Sequence, residues 1–201
     1  HIYAVASTSG MEVAGGERRG RLMIAQMVLE NFKSYGGERT IGPFHKRFSS
    51  VVGPNGSGKS NVIDAMRFVM GKRASRMRLK KVSELIHKSE NYPACEYAKV
   101  SVYFQDIVDT GPGDEDYTVV DGSQVVVTRV AYATNGSKYF LNDKSSSYSE
   151  VTALLRERGI DLDHNRSMVL QGEIEQIAMM KPKGTGDNDS GLLEFLEDII
   201  G

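Results

Sequence analysis

A single cysteine, Cys95, stands among 201 residues. One thiol can close no internal disulfide and can build no thiolate zinc site, a usage that fits a reducing compartment. No run approaches 18 apolar residues, so nothing reads as a membrane-spanning helix. The opening residues "HIYAVASTSG" lack the basic start and apolar centre of a secretion signal. They also begin without Met, from which a piece of a longer chain is expected. No internal repeat is present, and nowhere do four apolar residues run into Asp-Glu. The net charge is −1, which by itself points to no partner.

Charge is ordinary in amount, 25% of residues, and nearly balanced, but it is segregated along the chain. Residues 67–81 hold seven cations and no acid, and residues 106–121 hold six acids and no base. The acidic run reads as a solvated hairpin loop. The cationic run reads either as a solvated loop or as a surface that follows a phosphate backbone.

Residues 1–20, rich in Gly, Ser and Ala, read as a flexible tail. "LMIAQMVLENFKSY" (22–35) predicts a strand, Gly36-Gly37 a turn, "RTIGPF" a second strand, and "RFSSVV" a third that is short and buried. Residues 59–70 place Val62, Ile63, Met66, Phe68, Val69 and Met70 mostly on one helical face, with Gly71 as the stop. A short helix is expected at "VSELIHKS", strands at "EYAKVSVYFQDI", "YTVVD", "QVVVTRVAYA" and "KYFLND", and a hairpin at Asn135-Gly136. Ser147 and Glu150 form a capping box before "YSEVTALLRERG", and Gly159 ends that helix. "SMVLQ" reads as a short strand, "GEIEQIAMMK" and "LLEFLEDII" as helices. His87 and His164 are isolated histidines and read as packed or surface residues. The expected fold is α/β, a mixed, largely β lobe packed on a helical face.

Residues 53–60, "GPNGSGKS", match G-x-x-x-x-G-K-[ST] without a mismatch. Glycine lets successive amides turn inward, because no Cβ obstructs them and φ > 0 is open to it. Those amides, at the start of the following helix, form a site for phosphate. Lys59 reaches the outer phosphates as a point charge, and the Ser60 hydroxyl is a hard oxygen suited to Mg²⁺. The predicted strand before and helix after are the context this loop requires. Hydrolysis also needs a metal-holding acid and a group that orients water. No acid pattern of that kind occurs, so half of a catalytic site is expected.

Beyond the loop, "MVLENFKSY", "GPNGSGKSN" with "IDA", "KKVSELIH", "GIDLDHNR" and "LQGEIEQIAMMKPKG" together resemble the N-terminal head segment of SMC chromosome ATPases, within the ABC class of P-loop NTPases. The branch it is most similar to is the condensin SMC subunits of the fourth eukaryotic class. The resemblance runs over residues 21–201. It implies that 21–190 form the N-terminal half of a head and that 191–201 start a helix leading toward a coiled coil.

The same resemblance implies roles. Asn55, Gly56, Ser57, Gly58, Lys59, Ser60 and Asn61 would surround ATP, with Lys33 and Ser34 lining its phosphate and base side. For Asn55 a plain turn role stays open. Gln171 would reach Mg²⁺ and the attacking water, where the residue alone also reads as a polar strand end. Arg78 would contact nucleotide or DNA, and Arg73, Arg76, Arg78 and Lys80 would contact DNA. Implied partners are the protein's own C-terminal head half, a second condensin SMC subunit, a kleisin, HEAT-repeat subunits and double-stranded DNA, and no membrane. The implied location is the nucleus and chromosome, with the cytoplasm for part of the cell cycle. Lacking the carboxylates, the chain alone is expected to be inactive. A scaffold gated by nucleotide without turnover, or a related cohesin-type or repair ATPase, is the alternative.

Overall fold

A computed structural model describes residues 3–6, 20–71, 81–92, 95–160, 168–169, 179–182, 191 and 193. Strand β1 is Tyr3–Ala6, β2 is Arg21–Phe32, β3 is Tyr35–Ile41 and β4 is Phe48–Val51; helix α1 is Lys59–Val69. A 3-10 turn covers Val82–Leu85. Then come β5 (Tyr97–Asp109), β6 (Tyr117–Val119), β7 (Val125–Tyr132), β8 (Ser137–Leu141), β9 (Lys144–Ser146), α2 (Tyr148–Glu157) and β10 (Met168–Val169). The larger sheet runs β3-β2-β5-β7-β8-β9, with β6 on β5, and a smaller one runs β10-β1-β4.

Every pair of named strands is antiparallel. Tight turns join several neighbouring strands of the larger sheet, and a chain that reverses in two to four residues can only pair antiparallel. One such turn was not foreseen. Asn142 and Asp143 both take left-handed φ, 47° and 64°, the geometry of a two-residue hairpin, and β9 follows. In β2 the alternation breaks where Ala25 is an extra residue between Ile24 and Gln26. That bulge frees the Ala25 carbonyl to accept from the Phe44 amide at 2.9 Å.

The core lies between one face of the larger sheet and α1. Leu29 and Phe32 from β2, Val100 and Val102 from β5, and Val127 from β7 are fully buried with Ala65, Met66, Phe68 and Val69 of α1. All six apolar residues expected on the inner face of α1 are buried. Each large side chain so covered stabilises by about 1.5–3 kcal/mol. Helix α2 carries the expected capping box: Ser147 Oγ accepts from the Glu150 amide, and the Glu150 carboxylate accepts from the Ser147 amide. No described helix is long and apolar enough to cross a membrane.

Three sequence expectations are corrected. Within the expected tail, Tyr3–Ala6 form a strand pairing with β4 and β10; β-prone residues beside an open edge favour pairing. Strand β4 is not buried: Phe48 is 52% exposed, and among the described strands β4 ends its sheet with a partner on one side. The acidic run is not simply solvated. Asp109 accepts from Arg21 at 2.7 Å and pairs with Lys46 at 3.1 Å, and Asp106 pairs with Arg158 at 3.2 Å. The hydrogen bond from Arg21, seconded by Lys46, holds the Asp109 carboxyl down at about 2 against the opposing effect of burial. Lys46 has no exposed side-chain surface, and its ammonium also donates to the Asp116 carbonyl at 3.0 Å. The run therefore fastens the segment before β4 to the β5–β6 hairpin.

Candidate functional site

The glycine loop leaves β4 and enters α1. Gly56 and Gly58 take φ of 80° and 90°, values that side-chain-bearing residues resist. Gly58 is also a close-approach position, since a Cβ there would lie 2.8 Å from the Tyr35 hydroxyl. As the N-cap of α1 it offers no side chain to the helix amides, and the first turn holds no acid. The positive end of the helix dipole is thus left uncompensated by protein carboxylates in that turn. Asn55, Gly56, Ser57 and Ser60 are exposed, so the loop opens to solvent.

Lys59 is nine-tenths buried. Its ammonium folds beneath the loop and donates to the carbonyls of Gly53 and Pro54, both at 2.6 Å. This turns the loop's carbonyl dipoles toward a cation, while the Ser57 amide closes a turn onto the Pro54 carbonyl at 3.3 Å. Helix-start amides, one ammonium and a hydroxyl form a donor set that fits a polyphosphate. For Mg²⁺ the described residues offer the Ser60 hydroxyl. They include no cluster of three or more His, Cys, Asp or Glu able to hold a metal.

The β2–β3 turn reaches this loop. Sequence placed the turn at Gly36-Gly37, but β2 pairs Phe32 with Tyr35, so its tip is Lys33-Ser34. Gly36 instead admits a close neighbour: a Cβ there would lie 2.7 Å from the Tyr92 ring and 2.8 Å from His87 Nε2. At the tip, Lys33 pairs with Asp64 of α1 and Ser34 Oγ accepts from the Asn61 side-chain amide at 2.5 Å. Tyr35 donates to the Gly58 carbonyl at 3.2 Å. Asn31 and Lys33 hold φ of 51° and 50°, a conformation that costs each about 1–2 kcal/mol. Packing and hydrogen bonds must offset that.

The fold therefore brings Ser34 to Asn61 and beside Gly58 of the loop, and Lys33 to Asp64. Gln171, Arg73, Arg76, Arg78 and Lys80 lie outside the described residues, as does His164. Reading the sequence missed Tyr35 as a neighbour of the loop and Asp64 as the partner of Lys33. Asp64 follows Asn61 by three positions on one helix and so shares its face, a signal that was available. Nothing local marked Tyr35.

A model of the RecF/RecN/SMC N-terminal domain matches residues 23–172. Among solved structures, one described as "Structural biochemistry of ATP-driven dimerization and DNA stimulated activation of SMC ATPases" superposes with a TM-score of 0.63. It is 36% identical, and the match covers 89% of this chain and 99% of that one. The chain belongs to the SMC family. Its fold is accordingly the N-terminal part of a P-loop, ABC-type SMC head. A Pyrococcus furiosus Smc head bound to the C-terminal domain of ScpA matches at a TM-score of 0.59 and 35% identity, over 80% of this chain and 39% of that one. Two curated relatives, both named structural maintenance of chromosomes protein 4, come from Dictyostelium discoideum and Homo sapiens. The first is 57% identical over 98% of this SMC segment, the second 56% identical over 90%. In each case the match spans 14% of the relative's length.

Proposed function

We propose that this chain is the ATP-binding half of a condensin-type SMC head. ATP binding would bring two heads together and hydrolysis would part them, on DNA, in chromosome condensation and segregation. The observation that carries the reading is the buried Lys59 ammonium beneath a glycine loop that opens α1 with no opposing carboxylate in its first turn. The loop amides and Lys59 hold the phosphates, Lys33 and Ser34 flank them, and Ser60 with Gln171 holds Mg²⁺. That ion would neutralise charge on the β- and γ-phosphates. Arg78 faces the nucleotide or DNA.

The head is completed by the C-terminal half of the same protein. Strand β4, which leads into the loop, has a free edge among the described strands, and such an edge accepts another strand. Further partners are a second condensin SMC subunit, a kleisin, as ScpA is to the archaeal head, HEAT-repeat subunits and double-stranded DNA. The place of action is the chromosome in the nucleus, with a cytoplasmic pool in part of the cell cycle.

Expressed together with the C-terminal head segment of its own protein, the chain should hydrolyse ATP, and alone it should show no turnover. Phosphate release by the pure chain would end the half-site reading. No release from the pair would end the enzymatic one. On such a pair, neutralising Arg73, Arg76, Arg78 and Lys80 should flatten the log–log salt dependence of DNA affinity by about 0.9 for each DNA phosphate no longer neutralised. An unchanged slope would show that these cations do not meet DNA.

A further inference from the structure

We propose that His87 is a positioning residue for the nucleotide site, acting through the Lys33-Ser34 turn; the inference rests on the nucleotide reading above. The hydrogen bonds of the His87 ring go to the Lys33 carbonyl and to Ser89, outside the glycine loop. His87 lies on a strap, residues 85–87, that runs antiparallel to the turn and is bridged to it at Phe32 and Ile86. The Lys33 amide donates to the Leu85 carbonyl at 2.7 Å, and the His87 amide donates to the Asn31 carbonyl at 2.8 Å. The imidazole then closes the clamp, with Nδ1 2.6 Å from the Lys33 carbonyl oxygen.

A carbonyl only accepts, so Nδ1 must carry the proton. Nε2, 2.8 Å from Ser89 Oγ, accepts from that hydroxyl in the neutral ring. The Tyr92 ring meets the imidazole edge-on at 5.5 Å, and Gly36 lies so close that a Cβ would come within 2.8 Å of Nε2. The ring is held on three sides and given one tautomer. Both peptide groups of Lys33, a residue with left-handed φ, are thus tied to the strap. Its side chain and that of Ser34 are tied to Asp64 and Asn61 on α1. The turn is held between the strap and the helix that begins with the loop. Remove the Nδ1 donor, and the turn loses the bond that sets its carbonyl while the rest of the fold keeps its packing.

Asparagine carries its amide nitrogen at the place of Nδ1, whereas glutamine carries it at the place of Nε2. In the 201-residue chain, ATP affinity by calorimetry should fall about tenfold in His87→Ala and His87→Gln, one charge-free hydrogen bond's worth. In His87→Asn it should stay within about threefold of the unsubstituted chain. Thermal melting of all three is measured alongside. Equal affinity in all four proteins would overturn the proposal, and so would an equal loss in all three variants, which is the mark of a merely structural role. Imidazole ¹⁵N shifts supply a readout without nucleotide: Nδ1–H supports the clamp, and Nε2–H overturns it. If the unsubstituted chain takes up no ATP, the nucleotide reading fails, and the tautomer alone then decides the clamp.

Discussion

Lys59→Ala should abolish measurable ATP binding while leaving the fold intact. The ammonium is the only cation within the glycine loop, and in the structure it is desolvated and aimed by two carbonyls. A charge-assisted hydrogen bond removed from such a place costs about 1.5–3 kcal/mol, and the ammonium would serve more than one phosphate oxygen. A loss on the order of a hundredfold or more in affinity follows. The carbonyls of Gly53 and Pro54 lose their donor, but Pro54 and the neighbouring loop positions are open to water, so they can be hydrated and the melting temperature should move little. Lys59→Arg is no substitute, since a planar guanidinium is not a point charge on a flexible stem. Calorimetric titration with ATP, beside a thermal melt, separates the two effects. Undiminished affinity in Lys59→Ala would mean that the loop does not hold the phosphates.

The largest effect on stability is expected at Phe68. Its ring is 1% exposed, lies 6.0 Å from that of Phe32, and carries the Arg129 guanidinium over its face at 4.5 Å. Arg129 is also stacked on Tyr139 at 4.8 Å and donates to the Phe68 carbonyl at 2.8 Å, near the end of α1. Burial already pushes the Arg129 guanidinium below its usual range; its two aromatic faces and the helix-end carbonyl compensate. Phe68→Ala opens a cavity and strips one of those faces. The cost should be about 3–5 kcal/mol, a large share of the roughly 5–15 kcal/mol that a domain commands. The melting point should fall on the order of 10 °C. Phe68→Leu, leaving a smaller void, should lose much less. Urea unfolding followed by circular dichroism measures both, and a loss under about 1 kcal/mol in Phe68→Ala would show that the core does not close on α1.

These two residues were legible in the sequence for the same reason. Lys59 belongs to a loop whose chemistry needs consecutive residues, and Phe68 to an apolar face repeating with the period of one helix. Phe32 and Arg129, which complete the setting of Phe68, stand on strands far apart in the chain and carried no such mark. His87 was read as an ordinary packed or surface histidine because its partner, the Lys33 carbonyl, lies 54 positions away.

Local order settled on its own what requires only neighbours along the chain. The glycine loop, the inward stripe of α1, the Ser147–Glu150 cap and the Asn135-Gly136 hairpin each depend on spacings of a few residues. Tertiary structure decided what depends on register between distant segments. It moved the β2–β3 turn from Gly36-Gly37 to Lys33-Ser34, gave Gly36 to a close contact with Tyr92 and His87, and drew Asp109 to Arg21 and Lys46. A hydrogen bond or an ion pair has a strict distance but no fixed separation in sequence, so only the folded chain could name the partners.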